Sequence, residues 1–240
     1  MTALTPSTGT SRSLLAGEKM NIYCTAAYLA GWYEKGELYE PHMSCMAFVK
    51  SIKGVHFASP RALGGRMMLP GNPENALIVF AEWARQLLRN LPGPLILVPV
   101  PGSKLTIGAL PHDVGSKAHI LAEKAAEIIG PKALVADILR FLEPHQSVSQ
   151  GNSNARDRQW LKNQLCMNNP PNIFSTLPPG QVILIDDVLT SGSHLMACHD
   201  FLLSKFRGRS DLKPFALCAA RTVNKYVDRP YPYPDVVTIT

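Results

Sequence analysis

Three short apolar runs, Leu95–Val100, Val182–Ile185 and Phe215–Ala220, constrain the fold of this 240-residue chain more than any other feature. Each is the length of a strand and apolar without alternation, as expected of strands covered on both faces. Helical stretches lie between and around them. Asn72-Pro73-Glu74 reads as a helix start, with a capping Asn, a Pro at the first helical position and an acid in the first turn. Ala76, Leu77, Phe80, Ala84, Leu87 and Leu88 then keep to one face, and Pro92-Gly93-Pro94 ends the helix. Ser116 caps an amphipathic segment through Ile129, stopped by Gly130-Pro131. Leu134–Leu139 reads as a strand, Ala155–Leu165 as a helix and Ser193–Phe206 as another. This order predicts an α/β fold, a parallel sheet flanked by helices, with ligands beyond the carboxyl ends of its strands.

Residues 1–17, rich in Ser and Thr, read as a flexible arm and not as a signal peptide. Residues 18–91, with aromatic residues clustered at Tyr23, Tyr28, Trp32, Tyr33 and Tyr39, read as a small N-terminal lobe or hood, and 92–240 as the core. No apolar stretch approaches the roughly 20 residues of a membrane span. Five scattered cysteines without a CxxC pair argue against disulfide scaffolding and for a reducing cytoplasm. The net charge of +6 suits an anionic ligand or nucleic acid. The basic residues form no block, which favours the small anion.

The chemistry concentrates in Val182-Ile-Leu-Ile-Asp186-Asp187-Val188-Leu189-Thr190-Ser191-Gly192-Ser193-His194. Two adjacent carboxylates where a buried strand leaves the sheet repel each other unless something offsets their charge. A sugar diol and a magnesium ion would do so, because carboxylates accept hydroxyl hydrogen bonds and suit a hard cation. Thr190, Ser191, Gly192 and Ser193 then precede a helix. Small residues there let backbone N–H groups converge on an anion at the helix's positive end. Diol binders and a phosphate cradle thus lie side by side, and a sugar phosphate matches both. The strand and acid pair also fit a Walker B element, but the GxxxxGK[ST] loop that reading needs is absent, as is GxGxxG.

Val182–His194 resembles the phosphoribosyl-diphosphate (PRPP) binding motif of type I phosphoribosyltransferases at nearly every position. Over about Leu95–Thr222 the layout is similar to the ComF-type, competence-associated branch. The likeness lies in Leu97-Val98-Pro99-Val100-Pro101, Gly115–Ala122, Gln146 with Asn154–Arg158, and Phe215–Thr222. The resemblance implies that Asp186 and Asp187 hold the ribose hydroxyls, partly through Mg²⁺, as the residues central to catalysis. It further implies that Val188, Leu189, Thr190, Ser191, Gly192, Ser193 and His194 complete the PRPP site around the 5′-phosphate. Pro101, Gly102, Ser103 and Lys104 would face the diphosphate, and Arg156 or Arg158 would close over it from a mobile loop. The chain departs from the family in carrying His194 where Thr or Ser is usual, in lacking an N-terminal cysteine-rich ribbon, and in having no recognisable acceptor-binding half. The expected activity is Mg²⁺-dependent phosphoribosyl transfer from PRPP to a base or amine acceptor, with a second copy of the chain as a further partner. The alternative is a non-catalytic PRPP-binding regulator or partner in DNA uptake or processing.

Other candidates carry less. His194 and Cys198 share a helical face but lack a third ligand there. Cys24 and Cys45 have no nearby His/Asn arrangement to support a nucleophile, and structural burial is the reading they favour. His112-Asp113 is either turn chemistry or an addition to the loop facing the diphosphate. Trp83 and Trp160 fall on helical segments and read as core.

Overall fold

A computed structural model describes residues 19–29, 40–145, 157–168, 181–206, 213–224, 227, 229–233 and 235–239. In chain order the elements are β1 (Met20–Leu29), α1 (Glu40–Lys53), β2 (Arg61–Leu63), β3 (Arg66–Met68), α2 (Glu74–Leu88), β4 (Leu95–Pro99), α3 (Lys117–Ile129) and β5 (Ala133–Val135). There follow β6 (Leu139–Phe141), α4 (Arg158–Gln164), β7 (Leu165–Met167), β8 (Gln181–Leu189), α5 (Ser193–Lys205), β9 (Phe215–Val223) and β10 (Val236–Ile239).

The protein is α/β, with a six-stranded sheet in the order β10-β1-β9-β8-β4-β5, parallel except for β10. The pleat sorts each apolar run between two cores. Leu95, Leu97, Ile183, Ile185 and Leu217 face one layer with Phe48 of α1, Phe80 of α2 and Leu121 of α3. Ile96, Val98, Val182, Leu184 and Ala216 face the other, with Leu195 and Phe201 of α5, Leu161 of α4 and Phe141 of β6. Both faces are covered, which is why these strands are apolar throughout.

The described part of residues 18–91, expected as a small N-terminal lobe or hood, packs into this core. Strand β1 lies between β9 and β10, in register from Ile22 opposite Ala216 to Leu29 opposite Val223, and α1 and α2 cover one face of the sheet. Tyr23 and Tyr28 of the aromatic cluster lie on β1, whereas Trp32, Tyr33 and Tyr39 fall outside the described residues, as do the arm at 1–17 and Gln146.

Ser116 stands at the N-cap of α3 as its sequence signal has it, but its side chain makes no capping hydrogen bond. Asn72 Oδ1 accepts from the Glu74 N–H at 3.0 Å, and Asp157 Oδ1 accepts from the Trp160 N–H at 2.9 Å to cap α4. The stretch 134–139 is not one strand. It breaks into β5, on the edge of the main sheet, and β6, which pairs with β7 in a separate ribbon. No helix among the described residues is long and apolar enough to cross a membrane.

Candidate functional site

Strands β4 and β8 are neighbours, but the chain leaves them in opposite senses. From β4 it runs through α3 to β5 on one side, and from β8 through α5 to β9 on the other. The two helices cover opposite faces, so the carboxyl ends of β4 and β8 open into a crevice, the usual ligand position in such sheets. A cavity of about 1000 Å³ occupies that position.

The acid pair sits within a strand and not at its exit. Pairing of β8 with β4 ends at Ile185 opposite Pro99, while pairing with β9 continues through Asp186–Cys218, Val188–Ala220 and Leu189–Arg221. From Asp186 onward, therefore, one edge of β8 is bonded and the other faces the cavity. Asp186 and Asp187 are both partly buried and line it. Each Oδ1 accepts from the amide of the following residue at 2.8 Å, which fixes the carboxylates against the backbone. Burial, and then the charge of Asp187 beside it, push the Asp186 carboxyl well above the usual carboxylate range.

Asp187 also meets Lys53 of α1, with Nζ 3.9 Å from Oδ2. Nothing near Lys53 in the sequence marks it as a site residue; only the packing of α1 against the sheet brings it to the cavity wall. Tyr28 of β1 and Thr222 of β9 are further cavity residues missed in the sequence, joined by a hydrogen bond from Thr222 Oγ1 to the Tyr28 hydroxyl at 3.3 Å.

Beyond the acids, Thr190, Ser191 and Gly192 turn the chain into α5 and line the same cavity. Gly192 adopts φ +77, the left-handed region that glycine enters without steric cost. Its φ lets the chain reverse at the start of the helix. Among the described residues, the amides of Thr190, Ser191 and Gly192 donate to no backbone carbonyl, so they are free for an anion. Ser193 contributes differently from its neighbours. Its Oγ lies 3.2 Å from Ser191 Oγ and its amide donates to the same oxygen at 3.4 Å, so it shapes the turn from behind.

His194 lines the cavity, but its ring is stacked on Phe141, with centroids 5.2 Å apart. Burial, and then the neighbouring His145, lower its pKa to about 4. Burial thus favours the neutral ring over the charged one at this wall. Its Nε2 is buried without a partner among the described residues, as is Ser116 Oγ in the cavity wall at the start of α3.

The opposite wall is the loop after β4, where Pro101, Gly102, Ser103 and Lys104 line the cavity and Lys104 is exposed. The Leu105 N–H donates to the Gly102 carbonyl at 2.8 Å, and the Phe141 N–H to the Leu105 carbonyl at 3.0 Å. The His145 N–H donates to the Ser103 carbonyl at 3.1 Å, so the β6 region braces this loop along its length.

The expected cationic clamp is not found at Arg158. Its guanidinium forms a two-pronged pair with Asp200 of α5, Nε to Oδ2 at 2.6 Å and Nη2 to Oδ1 at 2.7 Å, which turns it away from the diphosphate loop. Arg156 lies outside the described residues. The same pair answers the grouping of His194, Cys198, His199 and Asp200. Asp200 is held by Arg158 and His199, and Cys198 is a buried thiol whose pKa is pushed up by burial. Cys45, donating to the Pro230 carbonyl with its thiol pushed up to about 12 by burial, is equally inert. His112 and Asp113 do not line the cavity.

The donor set at the acid pair consists of carboxylate oxygens facing a cavity, which fits a hard divalent cation such as Mg²⁺. In comparisons with known proteins, no family model matches the chain and no curated protein matches it.

Proposed function

We propose that the chain is a type I phosphoribosyltransferase-like protein that binds PRPP and transfers its phosphoribosyl group to a nitrogen acceptor, releasing diphosphate. One observation carries this reading. A pair of carboxylates and a hydroxyl-bearing turn with free amides line one cavity at the switch point of a parallel sheet, with a lysine-bearing loop opposite. Asp186 and Asp187 accept hydrogen bonds from the ribose hydroxyls. The Thr190–Gly192 amides, at the positive end of α5, hold the 5′-phosphate. The Pro101–Lys104 loop and Lys53 set positive charge along the path of the leaving diphosphate, so catalysis is positioning plus charge stabilisation. Mg²⁺ at the carboxylates would neutralise diphosphate oxygens when bound.

Calorimetric titration of PRPP with and without Mg²⁺, followed by diphosphate release across a panel of nitrogen bases, tests the proposal. Asp187→Asn is expected to weaken PRPP binding by about ten- to a hundredfold, the cost of losing a charged hydrogen-bond acceptor. Unchanged affinity in that variant would refute the site. Binding without turnover on any base would move the assignment to a PRPP-sensing regulator.

A further inference from the structure

On α3 and the loop before it lies a group of metal-ligand type that the proposed reaction does not use. Among the described residues, His112, His119 and Glu123 place one donor atom each within 4.8 Å of one another. His119 and Glu123 are four residues apart on α3 and share one face. His112 comes from the preceding loop, its ring 5.4 Å from that of His119 and edge-on to it.

The spacing is specific. Two ligands about 2.0–2.1 Å from a tetrahedral ion lie about 3.3 Å apart. Glu123 Oε1 is 3.4 Å from His112 Nε2 and 3.2 Å from His119 Nε2. His119 is 8% exposed, and its Nδ1 is buried without a hydrogen-bond partner. The nearest acid to Nδ1 is Asp137, with Oδ1 at 3.8 Å. Arg140, almost wholly buried, clamps Asp137 in place with bonds of 2.6 and 2.5 Å. That contact is longer than a hydrogen bond, so Asp137 lies near the imidazole's second nitrogen without fixing its tautomer.

We propose that His112 Nε2, His119 Nε2 and a Glu123 carboxylate oxygen bind a transition-metal ion of the zinc class, leaving a fourth position for water. Two imidazoles exclude Mg²⁺ as the preferred ion, so this site is distinct in chemistry from the Asp186–Asp187 pair. The ion would join the loop at His112 to the body of α3. Between them lie Gly115, Ser116 and Lys117, which line the cavity. The site is therefore a clip on the cavity wall, and it stands whether or not PRPP is the ligand.

The test uses the full chain, stripped with a chelator and titrated with Zn²⁺ by calorimetry, then with Co²⁺ by visible spectroscopy. One equivalent of Zn²⁺ is expected, with Co²⁺ giving tetrahedral d–d bands and no thiolate charge-transfer band. His112→Ala, at an exposed residue where folding is not at stake, should weaken Zn²⁺ binding at least about tenfold, and Glu123→Gln likewise. Asp187→Asn should leave it unchanged. Absence of uptake, wild-type affinity in His112→Ala, a thiolate band, or loss of Zn²⁺ in Asp187→Asn would each overturn the site.

Discussion

Gly192 and His194 stand two residues apart at the start of α5, and each is fixed by something other than a ligand. A Cβ on Gly192 would run into the Ile239 side chain of β10, and the φ of +77 already disfavours one. Gly192→Ala should therefore destabilise the fold by about 1–2 kcal/mol from the left-handed backbone alone, and more from the clash. In a thermal or urea double-mutant cycle, adding Ile239→Ala should recover the second part. Strict additivity would mean that the two residues do not touch. His194, with a pKa near 4 against an ordinary 6.5, binds fewer protons folded than unfolded between those values. Stability should thus fall as pH is lowered through that window, by on the order of 2 kcal/mol between pH 7 and 4.5. His194→Phe keeps the stacking on Phe141 and removes the titration. Its urea midpoint should depend less on pH than that of the parent, and an identical pH dependence would count against the buried neutral ring.

At the scale of elements, apolar runs and caps were legible because each is decided within a few residues. The Asn72 helix start, the stop at Gly130 and the strand Leu95–Pro99 depend on local backbone chemistry. The acid pair was legible for the same reason, since strand, carboxylates and hydroxyl-bearing turn are contiguous. What could not be read there was how far β8 extends. Its last four residues, Asp186–Leu189, are held by β9 alone, and the pairing partner decides where that strand ends. Helix α1 and its Lys53 were equally hidden, because their place depends on docking against a sheet formed by distant segments. The pairing of Arg158 with Asp200, near in space and distant in the chain, was hidden because a charge in sequence carries no direction.

For the whole molecule, the insertion of β1 between β9 and β10 means that the N-terminal third is no detachable hood. A truncated chain of residues 92–240 loses the interior strand β1 and, of the helices described over one face, α1 and α2. It should show no cooperative thermal transition and should bind a hydrophobic dye, as a loosely packed state does. Sharp melting of that fragment would reinstate an independent core. The sheet's two flanks, three-residue β5 and four-residue β10, carry a further meaning. So little free main chain at either rim leaves scant template for a neighbour to zip onto. Copies of this protein that met at these two rims would find side chains and not a long backbone ladder to join, and such contacts can be tuned or abolished by surface substitution without disturbing the strands within.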